Sequence, residues 1–229
     1  MDLSKRLSCI VSMVEPVKTI ADIGTDHGYI PIHLIENSLC EFAIATDINK
    51  GPLEKAKKNI MRAQLMDKIQ LRLGSGLDII EIREVQSAVI SGMGGDLTRD
   101  IILKNIDVFK NMDYIIVQPA QNVDVFRKFI YETGFHIMDE KLCFEDGKFY
   151  ETIKLCYDET PVDKPTIFYE ISQLLYIRKE PILKEYMEYM IEKYNRIINS
   201  FNTNSCNVIK RRSELEQKVV EIKQLLNNM

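Results

Sequence analysis

The chain of 229 residues has no tryptophan, three histidines and no Cys-x-x-Cys pair. Its five cysteines, Cys9, Cys40, Cys143, Cys156 and Cys206, are odd in number and irregularly spaced. That excludes a regular disulfide framework and the spacing of a structural zinc site, so no metal is expected. The thiols read as small buried hydrophobes of a reducing compartment. No apolar run is long enough to cross a bilayer. The opening stretch MDLSKRLSCIVSMV mixes charge into its apolar pattern and lacks a small-residue cleavage site. It does not read as a signal peptide, and a cytoplasmic location is expected. A surplus of positive charge is missing too. The net charge is −4, which argues against a nucleic-acid partner only weakly and leaves local patches to serve phosphates. Residues 1–160 carry 19 basic and 25 acidic side chains; residues 161–229 carry 11 and 9. The local candidates are Lys57, Lys58 and Arg62 (with Lys55) on one segment, and Lys210, Arg211 and Arg212 on another. Clusters of this kind are more often solvated helix faces than binding sites.

What is present is an ordinary globular composition, 45% apolar and 28% charged, arranged in a regular alternation. Leu3, Leu7, Ile10, Val11 and Val14 predict a helix over residues 2–14, ended by Pro16. Strands are expected at KTIADI (18–23), FAIATD (42–47), IQLRL (69–73), SAVISG (87–92) and DYIIVQ (113–118). Helices are expected between them over 29–38, 50–63, 95–103 and 122–133. FHIMDEKLCFE and KFYETIKLC then flank Glu145-Asp146-Gly147, a hairpin signal. The pattern is a Rossmann-like α/β domain over residues 1–160: a mostly parallel seven-stranded sheet, covered by helices, that ends in an antiparallel hairpin. After the Pro-bounded stretch DETPVDKP (158–165) the period changes. A helix is expected over 167–179 and a second one opens at Glu180-Pro181. Leu183, Tyr186, Met190, Tyr194, Ile197 and Phe201 recur at helical spacing, NTNSCN (202–207) turns, and Leu215, Val219, Ile222 and Leu226 resume the period. Residues 161–229 therefore read as an α-helical, coiled-coil-like hairpin whose stripe is a packing surface.

Chemistry is concentrated at the ends of the strands. ADIGTDHGYI (21–30) leaves the first strand as a glycine loop and enters a helix, an arrangement that offers backbone amides to a ligand. Asp47 ends the second strand, 23 residues after Gly24, where a carboxylate can accept hydrogen bonds from ribose hydroxyls. Together they favour an adenosine cofactor. Asp26 stands where such loops usually carry a glycine. A carboxylate there repels a pyrophosphate but attracts a sulfonium or an ammonium, so S-adenosylmethionine suits the loop better than a nicotinamide dinucleotide. Asp22, Gly24, Asp26 and Gly28 thus resemble motif I of class I methyltransferases with the central glycine replaced. The alternative for Asp26 is an N-cap of the next helix. GSGLDII (74–80), with Ser75 and Gly76, is either an adenine contact or a plain turn. In ISGMGGD (90–96), three glycines in four residues suggest close approach of a ligand to backbone. In QPAQN (118–122), Gln118 and Gln121 either read a base edge or cap the following helix.

The combination ADIGTDHGYIPIHL, ISGMGG, IIVQPAQN with FRKFIYETGFHI, and EDGKFYETI resembles the bacterial tRNA (adenine(22)-N1)-methyltransferase family, called TrmK, over nearly the whole chain. Two positions depart from that pattern: Gly28, where relatives often carry alanine, and Ser75, where Asp or Asn is commoner. The resemblance implies methyl transfer from S-adenosylmethionine to adenine N1 in the D-arm region of tRNA, with no obligate protein partner and a monomer favoured. It implies Asp26, His27 and Tyr29 as catalytic residues. For the cofactor it implies Asp22, Gly24, Thr25, Gly28, Asp47, Ile48, Ser75, Gly76, Ser91, Gly92 and Met93. For the substrate it implies Gly94, Gly95, Gln118, Pro119 and Gln121, besides the two basic patches. Adenine N1 carries an in-plane lone pair, so no proton has to leave first, and a carboxylate stabilises the cation that forms. The competing functions are a methyltransferase for a small molecule or protein, a catalytically silent RNA-binding module on the same fold, and a nicotinamide oxidoreductase.

Overall fold

The computed structural model describes residues 3–203 and 205–229. Asp2, in the expected first helix, and Asn204, in the expected turn 202–207, lie outside the described residues. The chain forms two compact units, Met1–Asp163 and Lys164–Met229.

In the first unit a short helix α1 (Lys5–Val11) precedes β1 (Val17–Ile23), α2 (Tyr29–Glu36), β2 (Cys40–Asp47), α3 (Lys50–Arg62), β3 (Ile69–Leu73) and β4 (Ser87–Ser91). Then come α4 (Gly95–Lys104), α5 (Ile106–Phe109), β5 (Tyr114–Gln118), α6 (Val123–Glu132), β6 (Phe135–Glu145) and β7 (Lys148–Tyr157). The seven strands form one sheet in the order β3-β2-β1-β4-β5-β7-β6. The first five are parallel; β7 inserts antiparallel between β5 and β6, as the Asp-Gly hairpin signal requires.

Alternate residues of the central strands enter two different cores. Ala21, Ala88, Ile90, Ile115 and Val117 pack with Ile102, Phe109, Phe126 and Ile130 from α4, α5 and α6. Ile20, Val89 and Ile116 pack with Ile10, Leu34, Ala56 and Ile60 from α1, α2 and α3. The sheet is therefore buried on both faces, which is why its strands are continuous apolar runs. The strand order reverses between β1 and β4, so the cleft beyond their carboxyl ends is where such a sheet binds ligands.

Three boundaries differ from the sequence expectation. α1 ends at Val11, because the Ser12 hydroxyl donates to the Cys9 carbonyl at 2.7 Å and the next amides close tight i−3 turns. The short α5 was not expected; Asn105 interrupts the apolar period and hydrogen-bonds back to the Ile101 carbonyl at 3.2 Å. The single helix expected over 167–179 is two, α7 (Ile167–Glu170) and α8 (Gln173–Ile177), since the buried Ser172 accepts from the Leu175 amide at 3.1 Å and starts a new helix.

The second unit continues with α9 (Pro181–Ser200) and α10 (Cys206–Asn227). Leu183, Tyr186, Met190 and Tyr194 are buried, as are Leu215, Val219 and Ile222. The buried Glu170 of α7 reaches this seam and bonds both the Tyr194 hydroxyl and the Lys218 ammonium.

Candidate active site

β1 delivers Asp22 to the carboxyl end of the sheet, and the chain then turns through Gly24 into Thr25. The Gly24 and Thr25 amides both donate to the Thr46 carbonyl of β2 at 2.8 Å, which ties the loop to the neighbouring strand. Asp22 is only 6% exposed. Burial pushes its carboxyl up from 3.8 to about 6; the Thr25 hydroxyl beside it pulls the other way, and the Asp47 carboxylate adds a smaller upward push. Thr25 Oγ1 stays buried without a partner in full hydrogen-bond geometry. Among the described residues the buried Asp22 carboxylate has no cation beside it, and together with the Thr25 hydroxyl it faces one cleft of about 370 Å3. That pair fits an ammonium group, such as the one on a methionine moiety.

Farther out along the loop stand the three residues of expected catalytic role. Asp26 is exposed, and its carboxylate lies 3.1 Å from His27 Nε2 and 3.4 Å from Lys55 Nζ of α3. The His27 ring stacks on the Tyr29 ring with centroids 5.1 Å apart and planes 12° from parallel. Asn59 of α3 donates to the His27 carbonyl at 2.9 Å and fixes the loop from outside. All three side chains line the cleft. Asp26 is not a helix cap: the N-cap of α2 is Gly28, with φ +69 and no side-chain bond to the helix amides. In that left-handed conformation a Cβ would also stand 3.3 Å from Ala56 Cβ, so alanine is strained at this position.

On its other side the cleft is lined by Ser91 and Gly92 at the end of β4, and the runs after β4 and β5 travel side by side from there. The Gly92 amide donates to the Gln118 carbonyl at 3.0 Å, Ala120 to Met93 at 2.7 Å and Gly95 to Gln121 at 2.8 Å. This changes the reading of the glycines. A Cβ on Gly95 would meet the Asn122 carbonyl oxygen at 2.2 Å, so Gly95 lets two backbones of the same chain approach. Gly94 bridges to Gln121 in the same ribbon. Ser91 and Gly92 line the cleft, and the Met93 methyl covers Gly24, where a side chain would stand at 2.2 Å. Pro119 is buried. Gln118 is 1% exposed and caps nothing: its Oε1 accepts from Arg6 Nη1 at 2.8 Å, and its Nε2 donates to the Pro119 carbonyl at 3.0 Å. Each end of the amide thus already carries one hydrogen bond inside the protein. Gln121 is exposed, and the N-cap of α6 is Asn122.

Arg6 and Leu7 of α1 also line the cleft. Neither is in the sequence-derived set, for no motif marks them. The signal lies in Glu145, at the end of β6, whose carboxylate takes the Lys5 amide at 2.6 Å and the Arg6 amide at 3.4 Å.

Other expected residues stand outside this cleft. Asp47 accepts from the Asn49 amide at 2.7 Å, and its own carbonyl receives the Gly74 amide at 3.0 Å, so GSGL sits beside it one strand away. Ile48 is 63% exposed, Ser75 is exposed, and Gly76 receives the Thr46 hydroxyl at 3.4 Å. Lys57, Lys58 and Arg62 are exposed on α3. In the helical unit Arg211 pairs with Glu214 at 3.2 Å, and Arg212 donates to the Phe201 carbonyl at 3.4 Å while lying over its ring; Lys210 is exposed. Among the described residues no group of three or more His, Cys, Asp or Glu is placed to hold a metal, and no helix is long and apolar enough to cross a membrane.

Residues 3–153 match the model of the methyltransferase domain family. The tRNA (adenine(22)-N(1))-methyltransferase of Bacillus subtilis is 34% identical over 151 residues, 66% of this chain and 63% of that protein's length. The crystal structure of the B. subtilis tRNA methyltransferase TrmK superposes with a TM-score of 0.87 at 25% identity, over 98% of this chain and 99% of the other. The Streptococcus pneumoniae protein Sp1610 in complex with S-adenosyl-L-methionine gives 0.87 at 29% identity, over 98% and 100%. On these matches the chain belongs to the methyltransferase domain family.

Proposed function

We propose that the protein transfers a methyl group from S-adenosylmethionine to N1 of adenine 22 in the D-arm region of tRNA, acting as a cytoplasmic monomer. The observation that carries the reading is the graded pair of carboxylates at the end of β1 and in the loop after it: Asp22 buried and, among the described residues, without a cation, Asp26 exposed four residues later and already oriented. Asp22 and Thr25 take the ammonium end of the cofactor, and Asp47 takes its ribose. The cofactor supplies an electrophilic methyl on sulfur; the sulfur keeps the electrons of the broken bond and leaves as a neutral thioether.

Asp26 accepts a hydrogen from the adenine N6 amino group, which turns N1 toward the methyl. The ring becomes cationic as the N1–C bond forms, and the same carboxylate stabilises that charge. His27 Nε2 and Lys55 Nζ hold the carboxylate in place before substrate arrives. The His27–Tyr29 stack gives a flat surface against which an extruded base can rest. N1 lies on the Watson–Crick edge, so a paired adenine must leave its stack, at a cost of a few kcal/mol. Phosphate contacts offset that cost, with Lys57, Lys58, Arg62 and Lys210 as the exposed cations available.

The test is methylation of tRNA with labelled methyl donor, followed by reverse transcription across the product. A strong stop at adenine 22 is expected, because an N1 methyl blocks pairing. Label in RNA without a stop would sink the N1 assignment; no label in RNA would sink the substrate.

A further inference from the structure

We infer that Arg6, held by Gln118, is the oxyanion-binding residue of the cleft. The inference rests on the methyl-transfer reading and adds to it a residue that lies on α1, outside every motif.

The Arg6 guanidinium lines the same cleft as Asp22, Gly24 and Thr25. One N–H goes to Gln118 Oε1 at 2.8 Å. The opposite end of that amide is locked to the Pro119 carbonyl, so the amide cannot turn its oxygen away from Arg6. The Tyr150 ring lies 5.8 Å from the guanidinium carbon and supports it from one side. The Glu145 carboxylate accepts backbone amides of α1 at Lys5 and Arg6. Among the described residues no carboxylate is ion-paired with Arg6. A cation with five donors is thus aimed into a cleft with one of them used. At Gly92 a Cβ would stand 3.8 Å from Arg6 Nη1, so the absent side chain leaves the approach open.

The chemistry of the reaction narrows what such a group can bind. A guanidinium offers no acceptor, so it cannot receive the adenine N6 hydrogen. Donating to N1 would occupy the lone pair that attacks. Set against the ring, it would oppose the charge that develops there. The planar fork suits an oxyanion. The proposed reaction brings two: the carboxylate of the cofactor's methionine moiety and a phosphodiester of the RNA. Both are taken by the same bidentate geometry, and the experiment separates them.

Arg6→Gln and Arg6→Lys proteins are titrated calorimetrically with S-adenosylhomocysteine and with decarboxylated S-adenosylmethionine. The same proteins bind a tRNA transcript at several salt concentrations. If the anion is the carboxylate, Arg6→Gln weakens S-adenosylhomocysteine by 10- to 100-fold and changes the decarboxylated compound by less than twofold. If it is a phosphodiester, both small ligands are unaffected, the tRNA Kd rises, and the log–log salt slope falls by roughly 0.7–0.9, one phosphate contact. Arg6→Lys recovers part of either loss, since it keeps the charge and loses the fork. Gln118→Leu reproduces the Arg6→Gln pattern at a few-fold lower size, because it frees the arginine without removing it. S-adenosylhomocysteine and tRNA affinities within twofold of wild type in a normally melting Arg6→Gln protein overturn the inference. Failure of the wild type to bind S-adenosylhomocysteine overturns the methyl-transfer reading instead.

Discussion

Replacing Asp22 by asparagine should stabilise the protein while it disables the cofactor site. The carboxyl is raised from 3.8 to about 6, chiefly by burial. At about 1.4 kcal/mol per pH unit this amounts to about 3 kcal/mol spent on holding the charge at neutral pH. The sign follows from the direction of the shift. An acid whose folded pKa lies above its unfolded one binds more protons when folded. Stability is therefore lost as pH rises from about 4 to about 6, and the loss is complete above that. Asparagine keeps the shape and drops the charge. In the absence of cofactor, Asp22→Asn should raise Tm at pH 7.5, by about 2–4 °C for each kcal/mol recovered, and should give no gain at pH 4. Calorimetry with S-adenosylhomocysteine should show the opposite effect. Loss of a charge-assisted hydrogen bond of about 1.5–3 kcal/mol weakens binding at least tenfold. Wild-type affinity should itself fall about tenfold per pH unit below 6, as Asp22 takes up a proton. A lowered Tm at pH 7.5 combined with unchanged S-adenosylhomocysteine affinity would refute this account of Asp22.

Asp26→Ala should retain S-adenosylhomocysteine affinity within about twofold and lose turnover on tRNA by about 10²–10³-fold; wild-type turnover would remove Asp26 from the chemistry. Arg127 of α6 is fully buried between Glu140 and Glu151, at 2.8 and 2.6 Å, so Arg127→Ala leaves two buried carboxylates without their cation. A loss of about 3–5 kcal/mol is expected in urea melts, and an unchanged midpoint would contradict it. Gly95→Ala forces the Asn122 backbone away and should lower stability by about 1–3 kcal/mol, together with kcat, because the ribbon it parts continues directly from Ser91 and Gly92 of the cleft lining. A normal melt with normal kcat would show that the two runs separate freely.

The regular parts of this fold were legible because two periodicities alternate cleanly. All seven strands were marked by apolar runs or by the Asp146-Gly147 turn, and the switch to a helical period marked the second unit. The glycine loop was legible because Asp22, Gly24 and Asp26 are local in sequence and their chemistry depends on spacing. Ser172 was not, because its neighbours Ile171, Leu174 and Leu175 continue an apolar pattern across the break. The glycines of ISGMGGD were only half legible: the run does signal close approach, but at Gly95 the approaching group is the chain's own Asn122. Gln118 read as a base-edge contact or a helix cap, since nothing local reveals that an arginine 112 residues away donates to its oxygen. Arg6 was missed for the same reason. Its position depends on a carboxylate that enters about 140 residues later, and no window of sequence contains both.

That separation bears on the order in which the protein becomes functional during synthesis. Lys5 and Arg6 leave the ribosome about 140 residues before Glu145, whose carboxylate accepts their amides and which emerges only near the end of the first unit. Strands β1 to β5 with their helices can assemble meanwhile as local parallel units, leaving α1 without its anchor. The β6–β7 hairpin therefore anchors a cleft wall that α1 supplies, so a nascent chain that already holds the glycine loop still lacks the support of that wall.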